Sequence, residues 1–342
     1  MLGARAPSCI AVFAVLIVLG GPAPGQTLVR TYAGGPGETS FARCVAIDGS
    51  MAVVGSCGAD AEGRVHVFDL DADTTAPTHV FAGAATYNYF GRQVALEAGE
   101  VTIGAYEADT PDSAAVKASG LSASGGAALF SGRDAEDPFR FAMSVDGQRT
   151  VLSVSSAGAG PKAAPPGAAG SPYLPGPIQT QAMGDDGFGW SCDVDDGLAA
   201  VGAPWSGRVY LYDLSEPSGP PVRTVEAPNG EEGFGCSVAL SDGLLLVGAC
   251  GDDTGGPEAG KVLLFDLSDG ALLTTLVGKE GERLGYALDA RGDWMVVGSA
   301  GSSSVGLYDI STIPEPATVT VLSLGGLAAL LGARRRRARR RI

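Results

Sequence analysis

Histidine is the scarcest chemical group in this chain of 342 residues, which has only His66 and His79. Neither has a Ser or Cys beside it in nucleophile context, so the sequence offers no Ser-His-Asp or Cys-His arrangement. Both read as strand residues on a polar or partly buried face. Cysteine is sparse as well: Cys9 near the start, then Cys44, Cys57, Cys192, Cys236 and Cys250. There is no Cys-x-x-Cys and no Cys/His cluster at zinc spacing. The five after the first twenty-five residues are an odd number, so at least one is unpaired within the chain or bonds to another chain. Small buried thiols are the expectation. No Gly-rich loop lies between a strand and a helix, so nucleotide binding has no support. No cofactor is expected.

Positive charge is scarce in the body of the chain. Residues 26–313 hold 15 Lys and Arg against 37 Asp and Glu, a net charge of −22. The other eight basic residues are Arg5 and seven arginines after residue 333. A domain this acidic repels nucleic acid and other polyanions, and it attracts cations or basic partners.

Glycine, by contrast, is plentiful, at 52 residues, about twice the average usage of roughly 7%. The reason is a repeat. Its clearest copy runs from Phe188 to Leu214. An opening residue recurs as Phe41, Phe90, Phe139, Phe188, Phe234 and Leu284, at spacings of 49, 49, 49, 46 and 50. Fourteen residues after each stands Gly55, Gly104, Ser153, Gly202, Gly248 or Gly298. Between them lies a turn glycine (Gly49, Gly99, Gly147, Gly197, Gly243, Gly292), mostly after Asp or Ala, a strong hairpin signal.

Third strands follow as RVHVFDL, RVYLYDL, KVLLFDL and SVGLYDI, and fourth strands are placed around Tyr32, Phe81, Phe130, Gln179, Val225 and Thr275. Continuous apolar runs such as LLLVGA (244–249) suit strands covered on both faces. Six units of four short strands predict an all-β fold, a single β-propeller. The last unit has only three strands of its own. The surplus strand at 27–34 is therefore expected to complete it and remove an open edge.

Phe188-Gly189 with Gly202-Ala203-Pro204 resembles the FG-GAP repeat of integrin-α-type propellers. Phe90-Gly91/Gly104-Ala105 and Phe234-Gly235/Gly248-Ala249 are close variants, while Phe41-Ala42, Phe139-Arg140 and Leu284-Gly285 depart further. The likeness spans about residues 28–312. That family usually has seven blades, so seven stands beside the count of six. The family can carry an Asp-rich calcium loop between first and second strands, but here that interval leaves room only for a tight turn. Calcium takes 6–8 converging oxygens. In DVDDG (193–197), alternation sends Asp193 and Asp195 to one face and Asp196 into the turn. No metal site is expected, and Asp252 and Asp253 in the roomier 251–256 loop form the candidate calcium pair. Asp69, Asp213, Asp266 and Asp309, each ending a third strand, are read as Asx-type turn residues.

Two Pro-, Ala- and Gly-rich stretches interrupt the pattern, at 107–126 and 156–177, and are read as long surface loops in place of third strands, with AAVKAS (114–119) as a poor strand within the first. Residues 1–25 read as a secretory signal with a helical apolar core, cut between Gly25 and Gln26. At the other end, Pro314-Glu315-Pro316 precedes seventeen uncharged residues and an arginine cluster. This tail resembles the PEP-CTERM sorting signal of Gram-negative bacteria. The apolar segment is just long enough for a transmembrane helix, with the arginines on the cytoplasmic side. The resemblance implies transient membrane anchoring and an exosortase-type enzyme as a processing partner. The expected organisation is thus signal 1–25, propeller 26–313 and sorting signal 314–342. The expected function is a non-catalytic binding module exported to the cell surface or extracellular matrix, with an unknown ligand. The alternative is a propeller hydrolase or lyase acting on extracellular polysaccharide.

Overall fold

The computed structural model describes residues 26–57 (apart from 36, 37 and 39), 63–83, 87–107, 114–120, 130–132, 140–146, 149–155, 186–216 and 219–313. Every regular element among them is a strand. In chain order they are β1 (Thr27–Ala33), β2 (Phe41–Asp48), β3 (Met51–Ser56), β4 (Arg64–Asp69), β5 (His79–Ala82), β6 (Tyr87–Glu97), β7 (Glu100–Glu107), β8 (Ala114–Gly120), β9 (Phe130–Gly132), β10 (Arg140–Asp146) and β11 (Arg149–Ser155). Then follow β12 (Ser191–Asp195), β13 (Leu198–Ala203), β14 (Arg208–Asp213), β15 (Arg223–Glu226), β16 (Phe234–Ser241), β17 (Leu244–Ala249), β18 (Lys261–Asp266), β19 (Leu272–Val277), β20 (Leu284–Arg291), β21 (Trp294–Ser299) and β22 (Ser304–Asp309).

These strands form antiparallel sheets in the orders β2-β3-β4-β5, β6-β7-β8-β9, β10-β11, β12-β13-β14-β15, β16-β17-β18-β19 and β1-β22-β21-β20. The first strands of the sheets are neighbours in turn. β2 touches β20 and β6, β10 touches β6 and β12, and β16 touches β12 and β20. This is the arrangement of a propeller, with the first strands around the axis.

The turns follow from their residues. Ala98-Gly99, Asp196-Gly197 and Asp242-Gly243 all have positive φ at both positions, as a type I′ hairpin requires. The apolar runs are buried because sheets stack face to face. β17 is buried along its whole length. Leu246 and Leu264 pack on Leu288 and Met295 of the next sheet, and Val53 and Val67 on Val94 and Ile103. Each such side chain contributes about 1.5–3 kcal/mol by leaving water.

The surplus strand lies where the strand count places it. β1 runs antiparallel to β22, with Leu28 opposite Tyr308 and Tyr32 opposite Val305. Tyr32 is 1% exposed and its ring lies 4.5 Å from that of Phe68, so the strand also locks onto the next sheet. The predicted fourth strands at Phe81, Phe130, Val225 and Thr275 are present; the one at Gln179 lies outside the described residues.

The loop reading of 107–126 is corrected in part: its weak strand candidate AAVKAS is a strand, since β8 pairs with β7 from Glu100↔Gly120 to Tyr106↔Ala114, so the second sheet has its third strand. The 156–177 stretch, the signal segment and the tail all lie outside the described residues. No helix among the described residues is long and apolar enough to cross a membrane.

Candidate functional site

The repeated Phe-Gly and Gly-Ala pairs meet between sheets. At the opening motif the ladder shifts register, between Phe41 and Cys44, Asn88 and Gln93, Phe234 and Ser237, and Leu284 and Ala287. The second motif residue has positive φ in Gly91 (82°), Gly189 (86°), Gly235 (91°) and Gly285 (81°), and also in Ala42 (70°). This conformation turns its carbonyl toward the preceding sheet. Ser191 Oγ donates to the Gly235 carbonyl at 2.9 Å, Ser237 Oγ to Gly285 at 2.7 Å, and Cys44 Sγ to Gly91 at 3.0 Å. The same carbonyls press on Gly55, Gly202 and Gly248, where an added Cβ would collide with them. The motif is thus a joint between sheets, and its glycines are fixed by close backbone approach.

A second set of ties runs around the axis. Asp48 accepts from the Ala98 amide at 2.7 Å, Asp195 from Asp242 at 3.3 Å, and Ser241 Oγ from Gly292 at 3.1 Å. Asp193 accepts from Leu240 at 2.6 Å and Asp289 from Ile47 at 2.7 Å. In each case a side chain on one first strand satisfies the backbone of another sheet's first hairpin.

The first strands surround a cavity of about 190 Å³. They run in the same sense, so their starts share one mouth and their ends the other. At the first mouth stand Arg43, Arg92, Trp190 and Tyr286. Arg43 Nη1 donates to Tyr286 Oη at 2.9 Å, and its guanidinium carbon is 5.3 Å from the ring centre, a cation–π contact. At the opposite mouth Arg291 reaches Asp195 at 3.5 Å and Asp48 at 3.9 Å.

Inside, burial pushes the Asp289 carboxyl well above the ordinary carboxylate range, and the neighbouring Asp193 pushes it further. A carboxyl shifted upward binds its proton more tightly in the folded protein than in the unfolded chain. Its stabilisation is complete below about pH 4, the unfolded carboxyl's range, and is lost as pH rises through the folded value. Replacing Asp289 with Asn, which mimics the protonated form, is expected to flatten this component. Urea midpoints measured from pH 4 to 9 should fall more for the parent than for D289N, and equal slopes would refute it.

Comparison with known proteins bears on these contacts. Residues 227–265 match the FG-GAP repeat, a span that contains the Phe234-Gly235 and Gly248-Ala249 joint. The chain is a β-propeller that carries an FG-GAP repeat. No curated protein matches it. Among solved structures, the β-propeller domain of Cps50 (Swd1) from Myceliophteria thermophila is 10% identical, with 83% of this chain and 99% of that one covered and a TM-score of 0.52. The WD40 β-propeller domain of Doa1 gives 15% identity, 83% and 97% coverage and a TM-score of 0.47. Glutaminyl cyclase of Myxococcus xanthus gives 9%, 83% and 96%, and 0.40. At these identities the first likeness speaks for the propeller fold alone.

Within the propeller, the residues singled out from sequence divide cleanly. Asp69, Asp213, Asp266 and Asp309 are the expected Asx turns, each accepting the amide two residues on, at 2.9, 2.8, 2.7 and 2.8 Å. Asp193 and Asp195 do share a face, and Asp196 lies in the turn. Asp252 and Asp253 are spent on protein. Asp252 accepts from the Thr254 amide at 2.9 Å and from Lys261 Nζ at 3.2 Å, and Asp253 accepts from Glu258 at 2.8 Å. Burial pushes the Asp252 carboxyl up, but the Thr254 and Lys261 contacts outweigh it and the net shift is downward. The Lys261 ammonium, also 3.6 Å from Glu231, stands where a bound cation would.

His66 is buried, with Nε2 3.1 Å from Glu38 Oε2. Burial lowers its pKa more than Glu38 raises it. Cys44, Cys57, Cys192 and Cys236 are buried and Cys250 half-buried, all as free thiols. The sorting residues Pro314, Glu315 and Pro316 and the cut after Gly25 lie outside the described residues, which resume at Gln26.

Sequence reasoning missed the mouth. Arg43, Arg92, Trp190 and Tyr286 are unlike in type and far apart in the chain. The available signal was position, since all four stand two residues after an opening Phe or Leu.

Proposed function

We propose that this propeller is an exported, non-catalytic binding module of the cell envelope. In this reading it is a ring of six blades. A signal over 1–25 exports it, and the tail from Pro314 sorts it through an exosortase-type enzyme after brief anchoring by the apolar helix. The observation that carries the non-catalytic part is the use of the axial acids. Asp48, Asp193, Asp195 and Asp289 are each bound to a backbone amide of another sheet, which suits a rigid scaffold. The opposite mouth carries Arg43, Arg92, Trp190 and Tyr286, side-chain types suited to holding a ligand. Deleting residues 314–342 is expected to abolish retention at the envelope while leaving the propeller folded. Fractionation that finds the truncated protein normally retained would count against the sorting route.

A second reading has one observation of its own. Asp289, its carboxyl pushed upward by burial and then by Asp193, resembles an acid set beside a second carboxyl, as a polysaccharide hydrolase or lyase would use. Turnover of a glycan panel by the purified protein, lost in both D193N and D289N, would favour it.

A further inference from the structure

We propose that the Arg43 mouth, with the neighbouring Trp190–Trp205 pair, binds a carboxylated sugar at the end of an oligosaccharide. This deepens the binding-module reading and rests on it. The first argument is charge. Arg43 is exposed and donates one N–H to Tyr286, with its guanidinium carbon over that ring. A guanidinium has five donors in a fork that fits a carboxylate. Arg92 and Cys57 line the same cavity, and burial pushes the Cys57 thiol up while Arg92 and Arg43 pull it back down. Two arginines thus converge in a domain whose net charge is −22. The surrounding field penalises an anion in proportion to its charge, so a monoanion is favoured over a dianion or polyanion.

The second argument is shape. The cavity, at about 190 Å³, is below the roughly 300 Å³ at which drug-sized pockets begin. Arg291, Asp48 and Asp195 bridge its far end, so a ligand enters end-on by a single unit. Trp190 lines the cavity and meets Trp205 at 5.9 Å between ring centres, tilted by 63°. Trp205 is 51% exposed and also lines a second depression with Pro204, Arg208 and Glu226. An indole offers a flat apolar face and one N–H, which suits a pyranose with C–H bonds on one side and hydroxyls at its rim. The path from axis to Trp205 therefore fits a terminal acidic ring followed by further sugar units.

The test is calorimetric titration of the full-length protein with a uronic-acid trisaccharide and with its neutral counterpart. The uronide should bind at least tenfold tighter, and Arg43→Gln should erase that preference. Trp205→Ala should weaken both ligands. Lys279→Gln should leave the binding of both ligands within a few-fold, since Lys279 is exposed and lines neither depression. Thermal melts of each variant separate lost binding from lost folding. Equal binding of acidic and neutral sugars, binding of neither, an unchanged preference in a folded Arg43→Gln protein, or tighter binding of an acidic tripeptide would each overturn the proposal. Such a result, with tail-dependent retention intact, would leave the envelope-module reading standing.

Discussion

Deleting residues 26–33 is expected to abolish the single cooperative unfolding transition and to leave a protein that aggregates at micromolar concentration. The strand supplies the outer member of the sheet that β20 begins, in register from Thr27↔Asp309 to Ala33↔Ser304. Without it β22 becomes an exposed edge, a template for pairing with other chains. Tyr32 adds a second loss, since it is 1% exposed and lies in the apolar cluster with Phe41, Phe68, Val296 and Leu307. Tyr32→Ala alone should cost about 3–5 kcal/mol, the range for emptying a buried aromatic site. Stability of a domain is about 5–15 kcal/mol, so losing strand and ring together exceeds what most domains can spare. Size-exclusion and denaturant titration of the truncated and point variants measure both effects. A monomeric truncated protein with the parent's midpoint would show that the closing strand is dispensable.

Gly202→Ala and Gly248→Ala should each destabilise by about 3 kcal/mol, the upper end for inserting volume into a packed site. The added methyl would strike the carbonyl of Gly235 in one case and Gly285 in the other. Both are backbone atoms held by serine hydroxyls, so the collision cannot be relieved by a rotamer change. Gly230→Ala is the control. It has φ of +74° with nothing within 4 Å of the new methyl, so it should cost only the left-handed backbone term of about 1–2 kcal/mol. Urea midpoints for the three variants give the comparison. Equal losses at positions 202, 248 and 230 would show that backbone strain, not the joint, sets the effect.

Much of this was legible because repetition turns one local pattern into several concordant signals. The interval from opening residue to second-strand glycine is constant, and the hairpin between them needs only a turn glycine, so strand order followed from spacing. The leftover strand at 27–34 and the missing fourth strand after Asp309 matched by simple bookkeeping of edges. The third-strand aspartates were readable too, since an Asx turn joins a side chain to the amide two residues on. The 114–120 strand was harder, because AAVKASG has little bulk to signal burial and is set by its ladder with β7.

The amino-acid sequence by itself determined the repeating antiparallel sheets, the strand that closes the last of them and the acidic surface. These depend on periodicity, turn chemistry and composition, all local or additive along the chain. Only the tertiary structure decided what the motifs are for. It set Phe-Gly against Gly-Ala across neighbouring sheets, tied the axial acids to backbone amides, and brought Arg43, Arg92, Trp190 and Tyr286 to one mouth. Residues more than forty positions apart meet there because the sheets turn about a common axis, and no local pattern encodes which side chains an axis will gather.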